Sequence, residues 1–394
     1  MKVRENIAGS LVLAILTILV LLPLVTVLLQ VICPGLKPGE LDMGNMSLVM
    51  DVFVRPLWKK AFINSASMSL CTTVLGLCLA GVLAHIRVKY DFPLAKLLDV
   101  VSWILMIMPS FILAQGWVFF ASGNGIARSW LHIEGMNNFL FSFPGLVTVV
   151  VLCKYPMAYV AIKAALEWYP ARLVHAARIN GASPLKVWTS VQLPLCMPTY
   201  FSAAMLIFMD TVGDYGMSST ITAVYSFPTL PYTIYSAICS SPVRFDMAGV
   251  LSLYLVVMIV IAMALQFYMM GRKRFDYLGS GTEQVTPRKT GPAASVMLTA
   301  VTGGFCLVAL GIPVGSNFIM SFSDSFSIEK FRFTLANYQN VLQLDGALLE
   351  GVRHSLSLAA VAAVIGLLVG FAVAYILTYS QFKLKRLIDM LTLV

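Results

Sequence analysis

Charged residues are scarce in this sequence. Asp, Glu, Lys and Arg make up 11% of its 394 residues, whereas 59% are hydrophobic; soluble domains carry roughly 25% charged residues. This deficit excludes a soluble globular domain and predicts an integral membrane protein. The formal net charge of +9 is typical of membrane chains with cationic cytoplasmic loops, so we expect lipid contact and no nucleic-acid partner.

Motifs for metal binding, disulfide formation and ATP hydrolysis are also missing. The seven cysteines form no C-x-x-C pair and the four histidines are scattered, so no metal site is predicted. No G-x-x-x-x-G-K-[ST] phosphate loop occurs, so the chain is not expected to hydrolyse ATP. No His, Ser or Cys constellation indicates a catalytic site, and no enzyme activity is expected.

The sequence contains many long apolar runs. A helix needs about 20 apolar residues to cross a bilayer, and several runs reach this length. They predict helices near 8–32, 61–86, 98–120, 144–166, 196–220, 247–270, 294–320 and 351–377. A ninth helix begins at Leu387, too close to Val394 to cross the bilayer, so we expect the chain to end within a helix. The predicted fold is an all-α polytopic membrane protein with eight or nine transmembrane helices.

The distribution of Lys and Arg predicts the orientation. If the N-terminus is cytoplasmic, 17 of the 27 residues lie on the cytoplasmic side and nine on the other, with Lys154 inside a span. The positive-inside rule favours this orientation. It places the polar block 175–198 at the cytoplasmic face.

An internal repeat relates the two ends of the chain. At an offset of 290 residues, 64–99 aligns with 354–389 without a gap, and the matches include Ser65/Ser355, Gly76/Gly366, Asp99/Asp389 and Pro23/Pro313. Six helices precede the second copy, so the copies share one orientation and form a parallel repeat. We interpret 1–270 as a first half of six helices, 271–293 as a cytoplasmic linker and 294–394 as the beginning of a second half.

The stretch HAARINGASPLKVWTSVQLPLCMP, residues 175–198, is a polar interruption between two apolar runs. Gly181 permits a tight turn, and Ser183 followed by Pro184 predicts a helix start. Pro194 and Pro198 are expected to end this short helix. The predicted structure is helix, tight turn, helix; an amphipathic loop anchored at the lipid headgroups by Trp188 is the alternative.

This block resembles the signature of the inner-membrane permease subunits of binding-protein-dependent ABC importers. That signature reads Glu-Ala-Ala, three residues, Gly, nine residues, a β-branched residue, any residue and Leu-Pro. The matching positions are Ala176, Ala177, Gly181, Val191, Leu193 and Pro194, and His175 stands where the acid is usual. The resemblance covers nearly the whole chain and is closest to fused double permeases of the iron(III), phosphonate and thiamine type.

The resemblance implies a MetI-like six-helix half whose coupling segment, 175–194, docks on a separate ATPase. The coupling residues that it implies are His175, Ala176, Ala177, Gly181, Ala182, Ser183, Pro184, Leu185, Leu193 and Pro194. ATP would bind to the partner ABC ATPase, expected as a dimer, and no cofactor to this chain. An extracytoplasmic solute-binding protein is the other implied partner. By the repeat offset, a second coupling block would lie beyond Val394, so we expect a fragment or a truncated gene.

Asp210 and Asp214 are the candidates for a translocation path. They are four residues apart, which predicts one shared helix face, and a carboxylate within a bilayer indicates a cavity or a partner. Two alternatives stay open at this point: Asp214 lies in water at the outer helix end, or Asp210 makes a structural pair with Lys154.

The predicted function is the permease subunit of an ATP-driven importer in the bacterial inner membrane. Iron(III) is the first candidate solute on resemblance, with phosphonate, thiamine and polyamine as alternatives. An ion-coupled secondary transporter is the alternative from another class, but intramembrane acids are few and the repeat is parallel rather than inverted.

Overall fold

The computed structural model describes residues 2–29, 31, 48–51, 53–168, 171–222, 225–271, 287–325, 328–343, 347–380 and 382–393. Most of the predicted linker, 272–286, lies outside these residues. Helices dominate the described chain and are, in order, α1 (Lys2–Leu16), α2 (Leu22–Leu29), α3 (Pro56–Lys89), α4 (Ala95–Ile107), α5 (Ser110–Ala121), α6 (Ile126–Ser129), α7 (Met136–Leu140), α8 (Phe143–Glu167), α9 (Ala171–Ile179), α10 (Pro184–Val187), α11 (Leu193–Val212), α12 (Tyr215–Thr222), α13 (Leu230–Ile238), α14 (Phe245–Gly271), α15 (Pro292–Cys306), α16 (Ile312–Ser321), α17 (Ala336–Gln343), α18 (Ala347–Tyr379) and α19 (Lys385–Leu393).

The membrane-spanning capacity agrees with the all-α polytopic prediction. Within the described residues, seven helical segments are long and apolar enough to cross a membrane, and a bent helix pair brings the number to eight. α19 begins close to the predicted ninth helix. Two short strands, β1 (Tyr90–Asp91) and β2 (Arg288–Lys289), pair in parallel, with Tyr90 opposite Arg288 and Asp91 opposite Lys289.

Two of the predicted spans are broken. The predicted helix 98–120 turns by 107° between α4 and α5. Pro109 causes this break, because a proline disfavours the helical conformation of the preceding residue, and Met108 is extended (φ −71°, ψ 130°). The predicted helix 196–220 ends at Val212, and α12 starts after Gly213 and Asp214.

Three π-helical turns share a position relative to proline. Thr17–Leu21, Trp188–Gln192 and Leu307–Gly311 each lead directly into an X-Pro pair, at Pro23, Pro194 and Pro313. The wider turn accommodates the proline ring, which in a regular helix would clash with the carbonyl four residues earlier. The predicted helix end at Pro194 is therefore wrong, because α10, the π-turn and α11 form one helix, Pro184–Val212.

The π-turns also follow the repeat. Thr17–Leu21 and Leu307–Gly311 are separated by 290 residues, as are the first residues of α4 and α19, Ala95 and Lys385. The offset found in the sequence therefore relates local backbone features as well as residue types.

The chain forms two compact units that cut across the predicted halves 1–270 and 294–394. One comprises the described residues of Met1–Val49, Ser241–Val250 and Thr334–Val394. The other comprises those of Met50–Ser240 and Leu251–Phe333. Each unit therefore mixes helices from both ends of the sequence.

In the first unit, α1 packs on α18 and α19. Val12 and Leu16 of α1 share a buried apolar cluster with Ile376, Phe382 and Ile388. The first helix of the first predicted half thus packs with helices of the second.

In the second unit, helices from the second predicted half pack with helices from the first. Cys306, Ala309 and Met320, from α15 to α16, belong to the same buried core as α4 and α5. The Asn317 amide donates to the Ile112 carbonyl at 2.8 Å. A methyl group on Gly116 would overlap the Pro313 carbonyl oxygen, so α5 and α16 touch backbone to backbone there. The centre of this unit is formed by α3, α8 and α11.

Candidate functional site

The predicted tight turn in the 175–194 segment is confirmed. The Ala182 N–H donates to the Ala177 carbonyl at 3.0 Å, and the Gly181 N–H donates to the Arg178 carbonyl at 2.9 Å. With Gly181 at φ +80°, these bonds form a Schellman motif that ends α9. Nothing lies within 4 Å of a Cβ added at Gly181, so glycine is needed here for its backbone conformation.

The predicted start of the second helix is also confirmed. Ser183 accepts a hydrogen bond from the Lys186 N–H at 3.4 Å, and Pro184 occupies the first turn of α10. The side chains before and after the turn are largely exposed, including Leu185 at 70%, whereas Val174 and Val187 are buried. The turn is therefore exposed, and the buried residues Val174 and Val187 on either side of it hold it against the protein.

The predicted coupling residues therefore divide into two groups. His175, Ala176, Gly181, Ser183, Pro184 and Leu185 are exposed, and Ala177 and Ala182 are partly buried beside them. Leu193 and Pro194 are partly buried where the π-turn meets α11. The first group can contact another protein, whereas Leu193 and Pro194 belong to the helix behind it.

A buried ion cluster lies near the far end of the helix Pro184–Val212, which begins at the turn. Lys154 Nζ, near the middle of α8, is 2.5 Å from Asp210 Oδ2 and 2.6 Å from Asp214 Oδ2. The side chains of Lys154 and Asp214 are 9% and 6% exposed, and that of Asp210 is 36% exposed. The cluster carries two carboxylates and one ammonium, and hence a net charge of −1.

The two aspartates do not share a helix face as predicted. Asp210 lies on α11, whereas Asp214 follows the helix end at Gly213 and caps α12 by accepting from the Met217 N–H at 2.9 Å. The alternative that Asp214 lies in water is wrong, because its side chain is buried. The pair of Asp210 with Lys154 is present, and Asp214 makes it a group of three.

Asp214 also connects the two helix breaks. Ser110 Oγ, at the start of α5, donates to Asp214 Oδ1 at 2.9 Å. A Cβ on Gly216 would lie 3.0 Å from the same Ser110 Oγ, so α5 and α12 approach closely. No local sequence pattern predicts this contact, because it depends on the helix break at Pro109.

A cavity of about 510 Å³ opens beside the cluster. Its walls include Lys154, Asp210 and Asp214, together with Met106, Met108 and Met209. Irregular backbone at membrane depth is tolerated where it is buried in protein or lines a cavity. The two helix breaks meet this condition, and the partly exposed side chain of Asp210 lines the cavity that they border.

A second ionic group ties α3, α4 and α8 together near the C-terminal end of α8. Asp99 of α4 accepts from Tyr159 at 2.7 Å and from Arg87 Nε at 2.8 Å, and Lys163 Nζ is 2.9 Å away. Sequence reasoning did not assign Asp99 a role. Its match with Asp389 in the repeat was the signal that could have found it.

Residues 73–274, about half of the chain, match the family described as binding-protein-dependent transport system inner membrane component. The chain belongs to this family. Members of this family are multi-pass inner-membrane permeases, transport subunits rather than catalytic ones. The matched range contains the exposed turn and the ion cluster.

Relatives within this family differ in their named solutes. The chain is 26% identical over 183 residues to the trehalose transport system permease protein SugB of Mycobacterium tuberculosis, covering 46% of this chain and 62% of that protein. It is 22% identical over 335 residues to the ferric transport system permease protein FbpB of Actinobacillus pleuropneumoniae, covering 84% of this chain and 48% of the relative. The chain thus spans about half of the ferric permease.

A solved structure shares the fold. A bacterial alginate ABC transporter, in complex with an alginate pentasaccharide-bound periplasmic protein, superposes with a TM-score of 0.50 at 15% identity. The superposition covers 64% of this chain and 87% of that one.

Proposed function

We propose that a separate ABC ATPase drives solute import through this permease by docking on the exposed turn at Gly181. The observation that carries the proposal is the continuity of the helix behind the turn. Pro184–Val212 is one helix of 29 residues, about 43 Å long at 1.5 Å per residue. Leu185 lies at its exposed end and Asp210 near the other, so a force on the turn reaches the ion cluster without crossing a loop.

The docking surface consists of the residues around the turn, which are His175, Ala176, Ala177, Gly181, Ala182, Ser183, Pro184 and Leu185. Small side chains here allow a partner groove to approach the backbone closely. His175 replaces the acid of the family signature and is exposed, so the ATPase meets no carboxylate at this position. Leu193 and Pro194 act behind the surface, within the helix that carries the motion.

We propose that Asp210 faces the translocation path and that the solute is cationic, with iron(III) first. The support is the net charge of −1 in the Lys154 cluster, which disfavours an oxyanion, and the ferric relative, whose match extends over 84% of this chain. Phosphonate, thiamine and polyamine are the alternatives. Affinity measurements on the partner solute-binding protein would decide among them.

The proposed partners follow from the family and the orientation. An ABC ATPase, expected as a dimer, binds ATP and meets the docking surface in the cytoplasm, where the Lys and Arg distribution also puts the N-terminus. A solute-binding protein docks from the other side of the bacterial inner membrane; the alginate transporter, which shares the fold, forms a complex with a periplasmic protein. We propose no cofactor for this chain.

The test of the docking surface is co-purification with the ATPase. Gly181→Glu places a charged side chain in the turn and should abolish co-purification. Gly135→Glu is the matched control, because Gly135 also has positive φ (+82°) and open space within 4 Å but lies outside the segment. Normal assembly and transport in Gly181→Glu would refute the docking surface.

A further inference from the structure

A hydrogen bond ties the π-turn behind the docking surface to a neighbouring helix. Trp188 is the first residue of the π-turn Trp188–Gln192, and its indole N–H donates to His85 Nε2 on α3 at 2.9 Å. The two rings also meet edge to face, with centroids 6.0 Å apart and planes at 67°. Through this pair, α3 holds the junction between α10 and α11.

Both ring nitrogens of His85 have defined roles. Nδ1 lies 2.8 Å from the Gly81 carbonyl, which can only accept, so Nδ1 carries the proton. Nε2 is therefore free to accept, and the indole of Trp188 can only donate. The surroundings select one neutral tautomer of His85, and that tautomer is the one that binds Trp188.

The bond between Trp188 and His85 lies at a point where it can control the direction of α10. A π-turn has one residue more per turn than the regular helix on either side, so it is a point where the helix direction can change. Beyond the π-turn, α3 packs closely on α11, since a Cβ on Gly81 would lie 3.1 Å from the Tyr200 hydroxyl of α11. A side-chain tether at this point fixes the direction of α10 relative to α11 within the helix Pro184–Val212.

We propose that His85 is a positioning residue for coupling: by holding Trp188, it fixes α10 relative to α3 and α11, so that a force on α10 moves α3 together with α11. The inference rests on the proposed docking of an ATPase at Gly181. It assigns a role to a histidine outside the docking surface, on a helix remote in sequence from it.

The first test uses the purified permease alone. Hydrogen–deuterium exchange of the backbone amides of 185–192 should be about fivefold faster in His85→Leu and in Trp188→Phe, the ratio expected from losing one hydrogen bond. His85→Gln keeps an acceptor and should exchange nearly as the parent protein does. His354→Leu, at an exposed histidine of α18, is the control. Unchanged exchange in His85→Leu would overturn the proposal.

The second test uses the permease assembled with its ATPase. His85→Leu and Trp188→Phe should each lower solute-stimulated ATP hydrolysis by about fivefold without lowering the amount of ATPase that co-purifies, and His85→Gln should restore most of it. The double variant should be no worse than either single variant, because both remove one bond. If the losses of ATP hydrolysis in the two single variants multiply in the double variant, the proposal is overturned. If exchange responds as expected but Gly181→Glu still assembles, the tether stands and the docking proposal fails.

Discussion

Lys154 and Asp210 form an ion pair, with Nζ 2.5 Å from Oδ2, near the end of a helix whose opposite end carries the exposed turn. The pair links α8 to the helix that we propose transmits the work of the ATPase. Asp214 completes the cluster from the next helix, and Ser110 joins it to the break before α5. The cluster is thus the point where the long helix, the central helix α8 and two helix breaks meet.

The two aspartates should differ in their effect on stability. Asp214→Asn removes a buried carboxylate that pairs with Lys154 and accepts from Ser110 and Met217, so we expect a loss of about 3 kcal/mol from these charge-assisted bonds. Asp210→Asn should cost about 1 kcal/mol or less, because its side chain is 36% exposed and solvent screens the pair. Unfolding of the two variants in detergent measures the difference; equal losses would contradict the assigned burial.

Asp210→Asn should affect the rate of transport more than it affects stability. Asp210→Asn should assemble with the ATPase yet transport at least tenfold more slowly, because a cationic solute loses the carboxylate that faces the cavity. Uptake into proteoliposomes, with ATPase stimulation measured in parallel, checks this. Transport and stimulation at the parent level would remove Asp210 from the path.

The contact between α5 and α16 should not tolerate a methyl group. Gly116→Ala would overlap the Pro313 carbonyl, and because backbone atoms cannot rotate away, we expect a loss of about 2 to 3 kcal/mol. Gly123→Ala is the matched control, since nothing lies within 4 Å of a Cβ there. Thermal unfolding of the two variants should separate them clearly; equal midpoints would contradict the packing of the second unit.

Asp99 should be a structural hub. Asp99→Asn removes the charge that holds Arg87 and Lys163, and we expect a loss of about 2 kcal/mol, moderated by the partial exposure of all three groups. Asp91→Asn, at an exposed aspartate four residues before α4, serves as the control and should be nearly neutral. A neutral Asp99→Asn would show that the three donors find other partners.

The sequence was sufficient for the features that depend on local chemistry. Apolar runs predicted the spanning helices, and Gly181, Ser183 and Pro184 predicted the turn and the helix start, because caps and positive φ are decided by a few adjacent residues. The offset of 290 residues matched Pro23 with Pro313, and the structure adds a π-turn before each of them, which the sequence did not predict.

Other features depended on tertiary contacts that no local pattern reveals. Pro194 was expected to end a helix, but a π-turn absorbs it. Asp210 and Asp214 were expected on one helix face, yet Lys154 gathers them across a helix break. The pair of His85 and Trp188 is separated by 103 residues in sequence, and only the packing of α3 on α11 brings it together.

Site-specific photo-cross-linking can show whether the ATPase contacts the turn at Gly181. A photoreactive residue at Leu185, which is 70% exposed, should form an adduct with the ATPase subunit whose yield changes with ATP. The same probe at Leu131, which is 55% exposed in the loop between α6 and α7, should not label the ATPase. ATPase labelling from Leu131 and none from Leu185 would contradict the account.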